Sequence, residues 1–183
     1  MSKKNPARSK IEDIIAKHGL HDFRWITPEQ IVVSQWVRMK CLYGCHVYGL
    51  NAMCPPHVPS VAECQKFFSE YQEAVIFHFT KKEKVPGDRK EWSKATDKKL
   101  LELERAVFLA GYQKTFMLTV DQCQLCTECT QNLETCKYPK LARPTIEAFA
   151  VDVFSTARNV GYPIQVLTDP TDTMNRYAIL MVE

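Results

Sequence analysis

Apolar positions along this chain fall into short periodic blocks, punctuated by glycine, proline and cysteine. Ile11, Ile14, Ile15 and His18 share one face of a short helix that Gly19 ends. Ile31, Val32, Val33 and Val37 predict a strand running into Cys41, and the Gly-, Cys- and Pro-rich residues 41–59 read as a loop. Ser60 with Glu63 forms a capping box that opens a helix through Phe67, Phe68 and Tyr71. Residues 74–79 read as a compact buried strand. Trp92, Thr96, Leu100, Leu103, Val107 and Ala110 mark a long amphipathic helix, with Gly111 as its stop. A strand over 114–120 feeds a second cysteine-bearing loop. Pro144 stands at a first helical position, and Ile146, Phe149, Ala150, Val153, Phe154, Ala157 and Val160 line one face up to Gly161. Residues 164–167 and 177–182 predict the last strands.

This alternation predicts an α/β fold: one layered domain with a central sheet of about five strands and helices packed on it. Both cysteine-bearing loops would follow strands, and in such sheets the loops beyond strand ends carry the chemistry. Parallel strands would put both loops on one edge. Residues 1–10 read as a flexible basic tail and 11–183 as the single domain.

At 183 residues the chain can bury a core without metal, so a bound metal would serve function more than folding. Its net charge of +3 does not describe a nucleic-acid binder. No apolar run approaches a membrane span, and no apolar stretch follows the basic N-terminus as in a signal peptide. The expected setting is a reducing cytoplasm, where clustered cysteines are metal ligands rather than disulfides. Lys3, Lys4, Arg8 and Lys10, and the run Lys81, Lys82 and Lys84 beside Pro86 and Gly87, read as solvated charge; the alternative is a docking patch for an acidic partner.

The eight cysteines carry the candidate chemistry. Cys123, Cys126 and Cys129 form a C-x-x-C-x-x-C run, and Cys136 is placed to close a fourth corner. That spacing lets a curled backbone present successive thiolates to one iron–sulfur core, with the amides between them free to donate to sulfur. Zinc prefers two separated pairs and is the alternative. A helix starting at Pro144 would aim its free amides at this site, with Arg143 compensating cluster charge and Glu147 orienting the cluster.

Cys41, Cys45 and Cys54 form a less regular group, Cys54 being followed by Pro55 and Pro56. Cys64 is either the fourth ligand or a buried thiol. Without it one iron stays open, unless His46 or His57 fills the place. Gly44 and Gly49 permit turns close to a bulky cluster, and Tyr43, Tyr48 and Met53 can pack over it and limit water. His18, His21 and His78 read as structural. Each group keeps its own ligands in the favoured arrangement; the alternative exchanges Cys54 and Cys136 between sites. The first site would lie near the surface and the second would be shielded between the helices over 92–110 and 145–160.

Two stretches of the chain resemble one family. They are Cys41, Cys45, Tyr48 and Gly49 leading to Cys54, Pro55 and Pro56, and the Cys123 to Cys136 run followed by Arg143, Pro144, Thr145, Ile146, Glu147 and Ala148. Together they resemble the predicted metal-binding proteins of anaerobic bacteria and archaea, a family of unknown function. In the family a glycine usually follows the Arg-Pro-x-x-Glu-Ala stretch, where this chain has Phe149 and Ala150. The resemblance implies metal or cluster binding in an anaerobic cytoplasm and supplies no reaction.

Three functions remain open. The first is a small iron–sulfur protein with two [4Fe-4S] clusters that exchanges electrons with a partner protein, docking over Tyr43, His46, Tyr48 and His57. The second is a catalytic cluster protein whose open iron binds a small substrate. The third is a zinc-stapled interaction module. Nothing in the sequence fixes the oligomeric state.

Overall fold

A computed structural model of the protein describes residues 6–82, 88–169 and 172–183. Its centre is a four-stranded sheet in the order β1-β2-β4-β3. The strands are β1 (Phe23–Ile26), β2 (Ala74–Lys82), β3 (Phe116–Leu118) and β4 (Thr173–Met181). Every neighbouring pair is antiparallel, with Ile76 opposite Ile179 and Leu118 opposite Ile179 from the other side.

Both faces of this sheet are buried, which explains why β2 and β4 read as unbroken apolar runs. Ala74, Ile76, Tyr177, Ile179 and Met181 point to one face; Val75, Phe77, Ala178 and Leu180 point to the other. The first face is covered by α3 (Val61–Ser69) and α5 (Val153–Asn159), with Phe67, Phe68, Phe116 and Phe149 in edge-to-face contact. The second is covered by α1 (Pro6–Lys17), through Ile11 and Ile15, and by α4 (Asp88–Leu109), through Leu100, Leu103 and Val107.

Several expectations are corrected. The β-branched run at 31–33 is extended but does not join the sheet. It pairs with 150–152 instead, through the Val33–Val151 bridge and the Asp152 N–H to Val32 carbonyl bond of 2.7 Å. Helix α2 (Gln35–Gly44) follows, so Cys41 lies in a helix and the first cysteine loop leaves a helix, not a strand. The expected helix over 145–160 is two elements. Residues 119 and 145 form a parallel bridge, a 3-10 turn spans Glu147–Phe149, and Ala150 at φ 59° breaks the path before Asp152 caps α5. No helix starts at Pro144, whose carbonyl accepts from the Thr119 N–H. Residues 164–167 are not a strand: Val166 is exposed and Pro163 brings no N–H to a ladder. Strand β1 replaces it, as a four-residue edge too short to stand out by period.

Of the expected tail, residues 1–5, with Lys3 and Lys4, lie outside the described residues. Residues 6–10 already belong to α1, where Arg8 pairs with Glu73 and Lys10 donates to the Ala110 carbonyl. Lys81 and Lys82 close β2 opposite Met174 and Thr173, while Lys84, Pro86 and Gly87 lie outside the described residues. Among the described residues, no helix is long and apolar enough to cross a membrane.

Glu104 on α4 ties the second cysteine segment to the sheet. It accepts from the Met117 N–H at 3.0 Å and from Arg143 Nε at 2.8 Å, and it is buried. Glu104→Ala strands both donors, and urea titration should show a loss of about 3 kcal/mol. Two turns earlier on α4, burial pushes the Asp97 carboxyl up to about 7, against the lowering effect of the Val120 N–H at 3.0 Å. A folded pKa above the unfolded one means that the native state binds the proton more tightly. Stability from this group is therefore full below pH ~4 and is lost as pH rises to about 7. Asp97→Asn should flatten that pH dependence and raise the urea midpoint at pH 8.

Candidate metal centres

The two cysteine segments meet. The 51–53 turn is folded by its own Asn51, whose Oδ1 accepts from the Met53 N–H at 2.9 Å. The same side chain reaches across with Nδ2 to the Cys123 carbonyl at 2.9 Å, and the Ala52 N–H donates to Cys129 Sγ at 3.3 Å. Met53, Ala52 and Ala142 then pack against Cys123, Cys129 and Cys136. Met53 thus covers the second group, not the first.

Cys123, Cys126, Cys129 and Cys136 line one small cavity with Ala52 and Met53. A second amide faces sulfur here, from Tyr138 N to Cys136 Sγ at 3.4 Å. Burial raises the Cys123 thiol; the Leu125 amide opposes this, and the three neighbouring thiols add to it. Four thiols around one cavity, with amides already directed at Cys129 and Cys136, suit a cationic core that takes thiolates. Of the expected helical cover, α4 flanks only the start of the run, at Cys123, Gln124 and Leu125. Residues 131–135 are exposed, and the shield over this group is the 51–53 turn.

Cys41 and Cys45, one helical turn apart at the end of α2, line a second cavity with Cys54. Tyr48 and Glu147 join its wall. Gly49 sits outside that wall, at φ 75°, and its N–H closes the loop on the Pro55 carbonyl at 2.9 Å. Arg38 clamps α2 to the 3-10 turn by donating to the Pro59 and Ala148 carbonyls, each at 3.0 Å. This brings Glu147 to Cys41, whose thiol is raised first by burial and then by Cys45 and Glu147, with Arg38 opposing. Cys54 lies between the groups. Burial, then Cys45, Cys41, Cys123 and Cys129, push it up to about 12.

Three expected site residues sit elsewhere. Cys64 is fully buried in the core, its Sγ 3.6 Å from the Pro59 carbonyl, and burial raises it to about 11. Arg143 serves Glu104 and stacks over Phe116 at 5.3 Å rather than joining either group of sulfurs. Glu147 faces the first group, not the second. His57 bonds the Gly49 carbonyl, and His46 lines neither cavity. His18 and His78 are held by protein partners, the Ile14 carbonyl and Asp22. Asn51 was not foreseen as a site residue. Its one signal is a polar turn residue inside the cysteine segment. Among the described residues, no three His, Cys, Asp or Glu side chains converge as on a single ion.

Seven thiols lining two adjoining cavities on an α/β scaffold define a cysteine-rich protein with donor sets suited to metal. The chain belongs to the family of the predicted metal-binding protein (DUF2284), whose model matches residues 24–182. No curated protein and no solved structure matches the chain.

Cys64→Ala should leave bound metal unchanged while lowering the urea midpoint, because it empties a core site. Cys129→Ser should lower metal content without opening the core. Metal analysis by plasma emission beside urea titration checks both.

Proposed function

We propose that the protein is a small iron–sulfur protein that carries electrons to or from a partner. Cys123, Cys126, Cys129 and Cys136 hold one [4Fe-4S] cluster, and Cys41, Cys45 and Cys54 hold a second. A [4Fe-4S] core supplies one-electron redox chemistry. The chain supplies the thiolates, the amide donors of Ala52 and Tyr138, and the apolar shield of Met53. The observation that carries the reading is the contact between the two cysteine segments, from Asn51 and Ala52 to Cys123 and Cys129. It puts two thiol sets side by side, the arrangement electron exchange between centres requires. Each set keeps its own cysteines, since Cys136 lines the cavity of its own run and Cys54 that of Cys41 and Cys45.

A partner docks beside the first centre. Cys45 is exposed there, Tyr43 is 84% exposed, and Trp36 and Met39 continue the same helix as exposed apolar side chains. A cytoplasmic setting fits cysteines that are all free.

A second reading is favoured by the position of Cys64. With that thiol in the core, the first set offers three sulfurs and a carboxylate, Glu147, around an open cavity. One iron is then free of thiolate, and the centre binds a small molecule there.

Anaerobic purification should give brown protein with about eight irons and eight sulfides per chain, and Cys126→Ser should remove about half of each. Colourless protein loaded with zinc would end both readings and leave a zinc-stapled module.

A further inference from the structure

The cavity of the first cysteine set does not end at Glu147. A further cavity adjoins it, and Arg89, Val120, Glu147 and Arg176 line both as a common neck. Cys41, Cys45 and Cys54 stand at one end. The other end is walled by Val153, Phe154, Ile164, Val166 and Met174.

The neck holds guanidinium donors in excess of their acceptors. Arg176, from β4, approaches Asp121 Oδ2 at 3.4 Å, and Arg89, from the start of α4, approaches the same oxygen at 3.9 Å. One carboxylate oxygen thus serves two five-donor groups. Arg176 Nε is buried and finds no acceptor among the described residues. A buried donor of this kind is costly to leave unmet, and a ligand oxygen would satisfy it. Planar guanidinium groups pair best with carboxylates, two bonds at a time. Glu147 lines the same neck, but no hydrogen bond or ion pair joins it to either arginine among the described residues. Its carboxylate weakens the hold of the neck on an anion, so binding also draws on the apolar wall.

We propose that this cleft binds a small organic carboxylate, with the acid group on Arg89 and Arg176 and the apolar body against Phe154 and Val166. The proposal deepens the open-site reading, because it places the ligand between an apolar wall and the three-thiol centre. The anion contact itself needs no cluster.

The test is isothermal titration calorimetry of the full chain, prepared anaerobically, with hexanoate as probe and acetate and hexylamine as controls. Hexanoate should bind saturably, acetate far more weakly, and hexylamine not at all. Arg89→Gln and Arg176→Gln should each weaken hexanoate about tenfold or more. Glu147→Gln should tighten it severalfold, a change in the opposite direction that general damage to the fold would not produce. Three results would overturn the proposal: no saturable hexanoate binding to the wild type, equal binding of hexylamine, or hexanoate affinity unchanged in both arginine variants. Iron and sulfide measured on the same samples separate the two readings. Brown protein that ignores hexanoate loses the carboxylate site and keeps its clusters. Colourless protein that binds hexanoate through its arginines keeps the site and loses the clusters.

Discussion

Asn51 holds the two cysteine segments against each other. One side-chain atom folds its own turn, and another reaches the carbonyl of Cys123, far away in the sequence. That crossing contact sets Ala52 over Cys129 and Met53 over the cavity of four thiols. A loop of so little regular structure as 121–143 has few ways to hold side chains in place. It gains them from a neighbour rather than from a helix of its own.

The scaffold explains why the thiols lie where they do. A sheet buried on both faces leaves no open face for a site, so chemistry moves to the loops at its margin. On one side the 3-10 turn at Glu147–Phe149 is pinned by Arg38 of α2, which brings a carboxylate beside Cys41. On the other, Glu104 and Arg143 tie the end of the second cysteine segment to α4 and β3. A cation expected to serve a cluster serves a buried carboxylate instead. The acid beside it in sequence order, Glu147, serves the opposite cysteine group.

The sequence was most legible where period and packing agree. The long helix at 88–109, the capping box at Ser60 and the apolar runs of β2 and β4 all follow from side-chain spacing. It misled where local chemistry was outweighed by distant partners. The run Ile31, Val32 and Val33 has strand character, yet its hydrogen bonds go to 150–152. The apolar face over 146–160 has a helical period, yet Ala150 turns left-handed and divides it. For the site, the grouping of cysteines into 41, 45 and 54 and into 123, 126, 129 and 136 was readable from spacing alone. That Cys64 belongs to the core was not, because a buried thiol and a ligand look the same in sequence. Nor was the meeting of the two loops, which was expected from parallel strands and arises from Asn51 in an antiparallel fold.

In the proposed function, two redox centres lie side by side because the 51–53 turn joins them. Electron paramagnetic resonance of the fully reduced protein tests it most directly, comparing the wild type with Asn51→Ala. The account predicts a wild-type signal split by coupling between two reduced clusters, with the splitting lost in the variant. Two uncoupled signals in the wild type, or no cluster signal from intact anaerobic protein, would contradict it.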